Sequence, residues 1–253
     1  MASSIEEDQL YGARVSSEPS PAPPREAKLQ GNYVTLMKVP QDQIASMWQE
    51  LRHPELWTYL PLDVPSSAEE FSMSFARREG FIVYAIMGDR NRLSPDSRHE
   101  NTQRGKHTDA LGVVAFLNIE PQNRAIEIGG VLYGPSLQRT AAATEVQYLM
   151  LRHAFGDDEH KLSPPYRRVV WKCNKLNTKS RRAAERLGFV YEGTSRRHQI
   201  AKGRSRDSDW LSIVDDEWPV VKAGLEAWLD DGNFDGHGTQ KLPLEEVRGK
   251  IGG

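Results

Sequence analysis

The chain has 253 residues and a single cysteine, Cys173. An intrachain disulfide is therefore impossible, which fits a reducing compartment. No zinc site built on several thiolates can form either. An excess of charge of one sign is also missing: 33 basic side chains stand against 35 acidic ones, for a net charge of -2. That balance argues against the strongly basic domain that nucleic acid usually demands. Long apolar runs are absent too, since segments such as Phe81–Met87 fall far short of the roughly 20 residues needed to cross a bilayer. The first thirty residues hold Glu6, Glu7, Asp8 and four prolines, with no apolar stretch resembling a signal peptide. The expectation is a soluble, cytoplasmic protein with no membrane partner and without a bulk field for nucleic acid, a local basic patch staying open.

Residues 1–28 include Ser16, Ser17, Pro19, Ser20, Pro21, Pro23 and Pro24, which offer little to bury, and read as a disordered N-terminal tail. Residues 230–253 are rich in glycine and charge and read as a loose C-terminal tail. One domain is expected between them, over residues 29–229. Tyr33–Lys38 reads as a strand, and Asp42–Leu51 as a helix with Ile44, Met47, Trp48 and Leu51 at helical spacing. Ser67-Ala-Glu-Glu70 is a capping-box pattern that opens another helix. Phe81–Met87 and Ala110–Ile119 read as strands joined by a polar insertion over 88–109. Then come a strand over Arg124–Tyr133, a helix over Arg139–Phe155, a strand over Arg167–Cys173, and a helix over Ser180–Leu187 stopped by Gly188. Phe189–Ile200 and Asp207–Val214 form a hairpin around Lys202-Gly203-Arg204. A last helix follows Asp215, with Trp218, Val221, Leu225, Trp228 and Leu229 on one stripe. This order predicts an α/β (α+β) architecture, a mixed and largely antiparallel sheet covered by helices.

Two features between Ile126 and Phe155 carry chemistry. Gly129-Gly130 lies inside a strand pattern, where glycine marks either a tight twist or a bulge. A bulge would free backbone N–H and C=O groups near Val131 and Leu132 for an extended ligand. Gln138-Arg-Thr-Ala-Ala-Ala143 then precedes a helix. Its small side chains leave the first-turn N–H groups uncovered, and those donors, with Arg139 beside them, suit a phosphate. Alanines are also simply good helix formers.

A bulged strand followed by such a helix start resembles the acyl-CoA cleft of the GNAT N-acetyltransferase superfamily, whose loop reads Gln/Arg-x-x-Gly-x-Gly/Ala. Gln138 and Ala143 match this loop, and Ala141 replaces the central glycine. Further segments fall in the family's order: Leu29-Gln-Gly-Asn-Tyr-Val-Thr-Leu36, Trp57-Thr-Tyr-Leu-Pro61, Ile126-Glu-Ile-Gly129, Pro135-Ser-Leu-Gln-Arg-Thr140, Leu151-Arg-His-Ala-Phe155, Asn177-x-x-Ser180, Glu185-Arg-Leu-Gly-Phe189 and Glu192-Gly193. They resemble the branch containing ribosomal-protein N-terminal acetyltransferases and their small-molecule relatives. The resemblance implies the GNAT acyl-CoA N-acyltransferase fold with helices on both faces of the sheet, and acetyl-CoA as co-substrate without a metal.

It also implies roles for single residues. The pantetheine arm would pair with the strand from Gly130 through Val131, Leu132 and Tyr133. The pyrophosphate would sit on Gln138, Arg139, Thr140, Ala141, Ala142 and Ala143. Asn177 and Ser180 match positions that line the cofactor, and Trp57 and Tyr59 fall where relatives wall the acceptor pocket. Ala184 stands where many members carry a tyrosine, which leaves Ser180, a water or another hydroxyl to protonate the leaving thiolate, or no group at all. Glu127 alternates with Ile126 and Ile128 and so faces the other side of the sheet. It is the candidate base and substrate contact, acting through one water. Read bottom-up, Glu127 also fits an ion-paired strand residue and Asn177 a helix cap.

These readings predict an N-acetyltransferase whose acceptor is the primary amine of a small molecule or amino-acid-like metabolite, attacked directly, in a monomer or homodimer. A protein N-terminal acetyltransferase is the near alternative. A catalytically idle acyl-CoA-binding module, suggested by Ala141 and Ala184, is the alternative of another class. Arg196, Arg197, His198, Lys202, Arg204 and Arg206 crowd the hairpin, a cluster that fits attraction of an acidic substrate or RNA or a plain solvated hairpin, partly offset by Asp207 and Asp209. His153 is expected in the core and Cys173 as a buried, inert thiol.

Overall fold

Strand β3 (Ile82–Gly88) is buried along its whole length, which is how a strand covered on both faces must read. It lies inside one sheet of eight strands in a computed structural model that describes residues 10, 12–93, 109–235 and 239–252. The remaining strands are β1 (Leu29–Gln30), β2 (Val34–Lys38), β4 (Asp109–Glu120), β5 (Ala125–Tyr133), β6 (Arg168–Asn174), β7 (Val190–Ala201) and β8 (Arg204–Val214). Their order is β1-β2-β3-β4-β5-β6-β8-β7, and every neighbouring pair is antiparallel except β5 with β6. The mixed, largely antiparallel sheet is the one expected. Of the polar insertion at 88–109, residues 94–108 lie outside the described residues.

Helices cover both faces. On one face α1 (Ile44–Leu51) buries Ile44, Met47, Trp48 and Leu51, the stripe its spacing requires. It packs there with the short helices α2 (Pro54–Trp57) and α3 (Ala68–Phe71), the latter running on through a wider turn at Ser72–Ala76. Ser67 caps α3 by accepting from Glu70 N–H, while Glu70 reaches back to Ser66 rather than to the cap residue itself. On the other face lie α4 (Ala141–Ala154), α5 (Thr178–Leu187), α6 (Trp218–Leu229) and α7 (Leu244–Gly252). Gly188, at φ +111°, ends α5 as expected. His153 is fully buried, its Nδ1 2.5 Å from Asp158 Oδ2.

Both segments read as tails are ordered in part. Ser20 N–H donates to Pro121 O, and the hydroxyls of Tyr166 and Tyr84 donate to Pro21 O and Pro24 O. Residues 20–27 therefore run as a strap that buries Ala27. Residues 1–9 and 11 lie outside the described residues. At the other end, α7 buries Leu244 and Val247, one turn apart, and Arg248 Nη1 donates to Arg186 O at 2.8 Å. Two apolar residues at the right spacing are enough to dock a helix whose composition reads as a loose tail.

The feature that matters for function is a break in the β4–β5 ladder. Val113 pairs with Leu132, but Ala115 pairs with Gly129, so β5 takes one more residue than β4 across this interval. The extra residue is accommodated at Gly130, whose φ is +57°. A Cβ there would also meet Phe75 Cζ at 3.1 Å. Gly130→Ala is therefore expected to lower stability by about 1–2 kcal/mol from the left-handed backbone alone, read as a lower urea midpoint; an unchanged midpoint would show that the torsion is not constrained.

Candidate active site

β5 and β6 run parallel, yet only Ala125, Ile126 and Glu127 pair with Arg168, Val169 and Val170. Beyond that the two strands part. β6 stays paired to β8 as far as Asn174, while among the described residues β5 has no partner on its β6 side from Ile128 to Tyr133. The parting leaves the β6-side edge of β5 without a strand partner, while Leu132 and Tyr133 stay paired to Val113 and Gly112 of β4. Val131, Leu132 and Tyr133 stand on this edge, with Leu132 buried and the other two partly so.

The loop after β5 leads to the start of α4 and is tied to the strand. Gln138 Nε2 donates to Tyr133 O at 3.0 Å, and the Tyr133 hydroxyl donates to Ala143 O at 3.3 Å while accepting from Gln147. Burial pushes the Tyr133 phenol well above its ordinary range. Arg139 takes a left-handed turn at φ +62° and stays exposed. Thr140 caps the helix, its Oγ1 accepting from Ala143 N–H at 3.1 Å. The cap and first two helical residues of any helix have N–H groups without an intrahelical partner, here those of Thr140, Ala141 and Ala142. Ala141 and Ala142 are buried among the core residues, so their methyls do not cover these donors. On the far side of the gap, Asn177 caps α5 by accepting from Ser180 N–H at 3.1 Å, and Ser180 Oγ accepts from Trp171 Nε1 at 3.1 Å. Ala184 is fully buried in the core.

Glu127 faces away from Ile126 and Ile128, which are in the core beneath α4. It lines a cavity of about 630 Å³ on the α1 face, whose wall also includes Gly129 and Gly130 of the bulge. Glu127 is only 6% exposed. Its Oε2 accepts from Asn118 Nδ2 at 2.7 Å and lies 2.8 Å from Lys172 Nζ. Asn118, at φ 45°, occupies a second irregularity of the β4–β5 ladder, in a conformation that asparagine tolerates. Lys172 Nζ also sits 3.9 Å over the Trp210 ring. Among the described residues Oε1 of Glu127 has no hydrogen-bond partner, so it keeps its lone pairs for a ligand or water.

The substrate-side expectations need correction. Trp57 is fully buried, packed edge-on against Phe71 and Phe75, with Nε1 donating to Leu51 O at 2.7 Å. Its large ring is a core element, and it does not line the cavity. Tyr59 is 37% exposed and outside the lining as well. The same loop contributes Leu60, Pro61 and Leu62 instead. The basic hairpin divides: Lys202 Nζ donates to Trp57 O at 2.7 Å, His198 and Arg206 reach the cavity, and Arg196, Arg197 and Arg204 are exposed. Burial pushes the Cys173 thiol up, as an inert thiol requires. Sequence reasoning missed Asn118, Lys172 and Trp210 and saw Arg206 only as part of the basic hairpin, although the alternation of Val170 and Lys172 against Val169 and Trp171 places Lys172 on the Glu127 face. Among the described residues no group of three or more His, Cys, Asp or Glu side chains could hold a metal ion, and no helix is long and apolar enough to cross a membrane.

A family model described as an acetyltransferase (GNAT) domain matches residues 34–190, more than half of the chain. The chain belongs to the GNAT acetyltransferase family. A GCN5-related N-acetyltransferase from Brucella melitensis is similar at 33% identity, with a TM-score of 0.78 and coverage of 92% of this chain and 98% of that one. The GNAT fold is shared with a spermidine N-acetyltransferase from Vibrio cholerae, solved in complex with CoA and spermine, at 14% identity and a TM-score of 0.55 over 75% of this chain and 99% of that one. Ribosomal-protein-serine acetyltransferase of Escherichia coli (strain K12) is 28% identical over 113 residues, covering 44% of this chain and 59% of that enzyme's length.

In this GNAT chain the Glu127–Lys172 pair is mostly buried, with side-chain exposures of 7% and 17%. Removing either partner leaves a charge short of its counter-ion. Lys172→Gln is expected to cost about 1–3 kcal/mol, less than for a fully buried pair because Lys172 borders the cavity. The Glu127→Gln/Lys172→Gln double variant should lose less than the sum of the single variants. Thermal unfolding of the three variants checks this, and strict additivity would show that the pair does not couple.

Proposed function

We propose that the chain is an acetyl-CoA-dependent N-acetyltransferase acting on the primary amine of a small molecule or amino-acid-like metabolite. The observation that carries this reading is the bulge at Gly130, because it lies between the Glu127 carboxylate on the cavity wall and the stretch of β5 that has parted from β6. The residues present fit the co-substrate. The edge from Val131 to Tyr133 suits an extended arm that carries amides. The N–H groups of Thr140, Ala141 and Ala142, at the positive end of α4, suit a diphosphate, with Gln138 holding the loop and Arg139 adding charge. Asn177 and Ser180 border the gap from the β6 side. The CoA held by the Vibrio cholerae relative supports the same choice. Acetyl-CoA, when bound, supplies an acyl group activated as a thioester.

The chain's own groups do the rest. Glu127 Oε1 takes the proton of the amine, directly or through one water. The backbone N–H of Val131 or Leu132 holds the negative charge that develops on the carbonyl oxygen. Ser180 Oγ gives a proton to the departing sulfur, and the bond from Trp171 Nε1 fixes how that hydroxyl is oriented. An α-amine (pKa about 7.7–8.0) needs less help than a lysine-type amine (about 10.4) to become neutral. The cavity of about 630 Å³ is of a size for a small acceptor. Similarity to the Escherichia coli enzyme favours a peptide N-terminus as the second reading.

Glu127→Gln is expected to lower kcat by about 100-fold, more at pH 6 than at pH 9, because the amine is already largely neutral at the higher pH. An equal loss at every pH would remove Glu127 as the base. Ser180→Ala should lower kcat by about tenfold or more at nearly constant KM for acetyl-CoA. Thiol release measured with amines and with peptides separates the two acceptor readings; turnover on peptides alone would overturn the small-molecule choice.

A further inference from the structure

We infer that the acceptor amine also carries a carboxylate, and that Arg206, with Trp210 beside it, is what selects for it; this rests on the acetyl-transfer reading above. The inference comes from an imbalance in the cavity wall. Four cationic side chains line it, Arg78, Arg168, Lys172 and Arg206, against two carboxylates, Glu120 and Glu127. Two of the cations have partners: Lys172 pairs with Glu127, and Arg168 with Glu192. Among the described residues, Arg78 and Arg206 have no carboxylate at ion-pair distance. Arg78 lies 4.7 Å over the Phe81 ring, and of the two only Arg206 has a buried donor left without an acceptor among the described residues.

Arg206 uses Nη1 on the neutral Gln199 Oε1 at 3.2 Å. Its Nε, and Nε1 of Trp210, are buried donors with no acceptor among the described residues. Buried polar groups are nearly always bonded, so two orphans on one cavity wall call for a ligand that accepts. A guanidinium fork matches a carboxylate in shape and charge. Arg206 and Glu127 line the same cavity of about 630 Å³ without an ion pair between them, so one small acceptor reaches both. Its amine then meets Glu127 and its carboxylate meets Arg206. The same charges repel an acceptor that is cationic throughout, such as a polyamine.

The test compares each common amino acid with its carboxamide, and both with spermidine, by thiol release from acetyl-CoA. At least one amino acid should exceed its amide in kcat/KM by about tenfold or more, with spermidine far below both. Arg206→Gln should cut that acid-to-amide ratio at least tenfold. If R206Q does not fold, R206K carries the test, since it keeps the charge and loses the fork. Amides or spermidine turned over as well as the acids would overturn the inference and leave acetyl transfer standing. A second readout needs no turnover: calorimetry of the protein saturated with CoA against the N-acetyl form of the best acid, or of phenylalanine if none reacts. Binding weakened at least tenfold by R206Q supports the anion subsite. Thiol release from none of the amines, despite such binding, overturns the transfer reading instead, and no binding at all overturns the subsite.

Discussion

Glycine has no Cβ, so Gly130 holds a φ of +57°, and the cleft depends on that torsion. The extra residue it absorbs shifts β5 against β4 by one position. That shift interrupts the regular ladder close to where β5 leaves β6. Past Glu127 the β6-side edge of β5 has no strand partner among the described residues, and it offers its backbone to something else. The start of α4, held by Gln138 and Thr140, lies just past the end of that strand. Glu127 sits before the bulge, on the face that opens to the cavity. Backbone donors and a carboxylate thus converge because one residue tolerates a conformation that the others avoid.

The cavity's electrostatics follow from strand register. Lys172 on β6 is the direct partner of Trp210 on β8, so the ammonium lies over the indole and still reaches Glu127. The carboxylate is held by one oxygen, with Asn118 as the second donor, and its other oxygen is left for chemistry. Arg206, two alternations along β8 from Trp210, lies on the same wall. The arrangement separates a neutralised carboxylate from an unneutralised guanidinium within one small volume.

Much of this was legible because it is local. The stripe of Ile44, Met47, Trp48 and Leu51, the apolar run of β3, the double glycine and the Asn177 cap all act within a few residues of themselves. Lys172, Trp210 and Arg206 become neighbours only through the β6–β8 register, and no short-range pattern distinguishes a cavity-facing lysine from a solvated one. Trp57 misled for a related reason: an aromatic in a loop can wall a pocket or fill a core, and the choice depends on Phe71 and Phe75 from another helix. Composition also misjudged the N-terminal strap. Proline has little conformational freedom to lose on ordering, so two tyrosine hydroxyls and one backbone bond are enough to hold a segment with few apolar groups.

The short parallel match between β5 and β6, which ends at Glu127 and Val170, has a mechanical meaning. The sheet is two plates joined along a brief seam, with strands β1–β5 on one side and β6–β8 on the other. Whatever wedges into the gap bonds to both plates at once. Its affinity is then also a clamp on the native state, since a molecule that binds only the folded form raises stability by mass action.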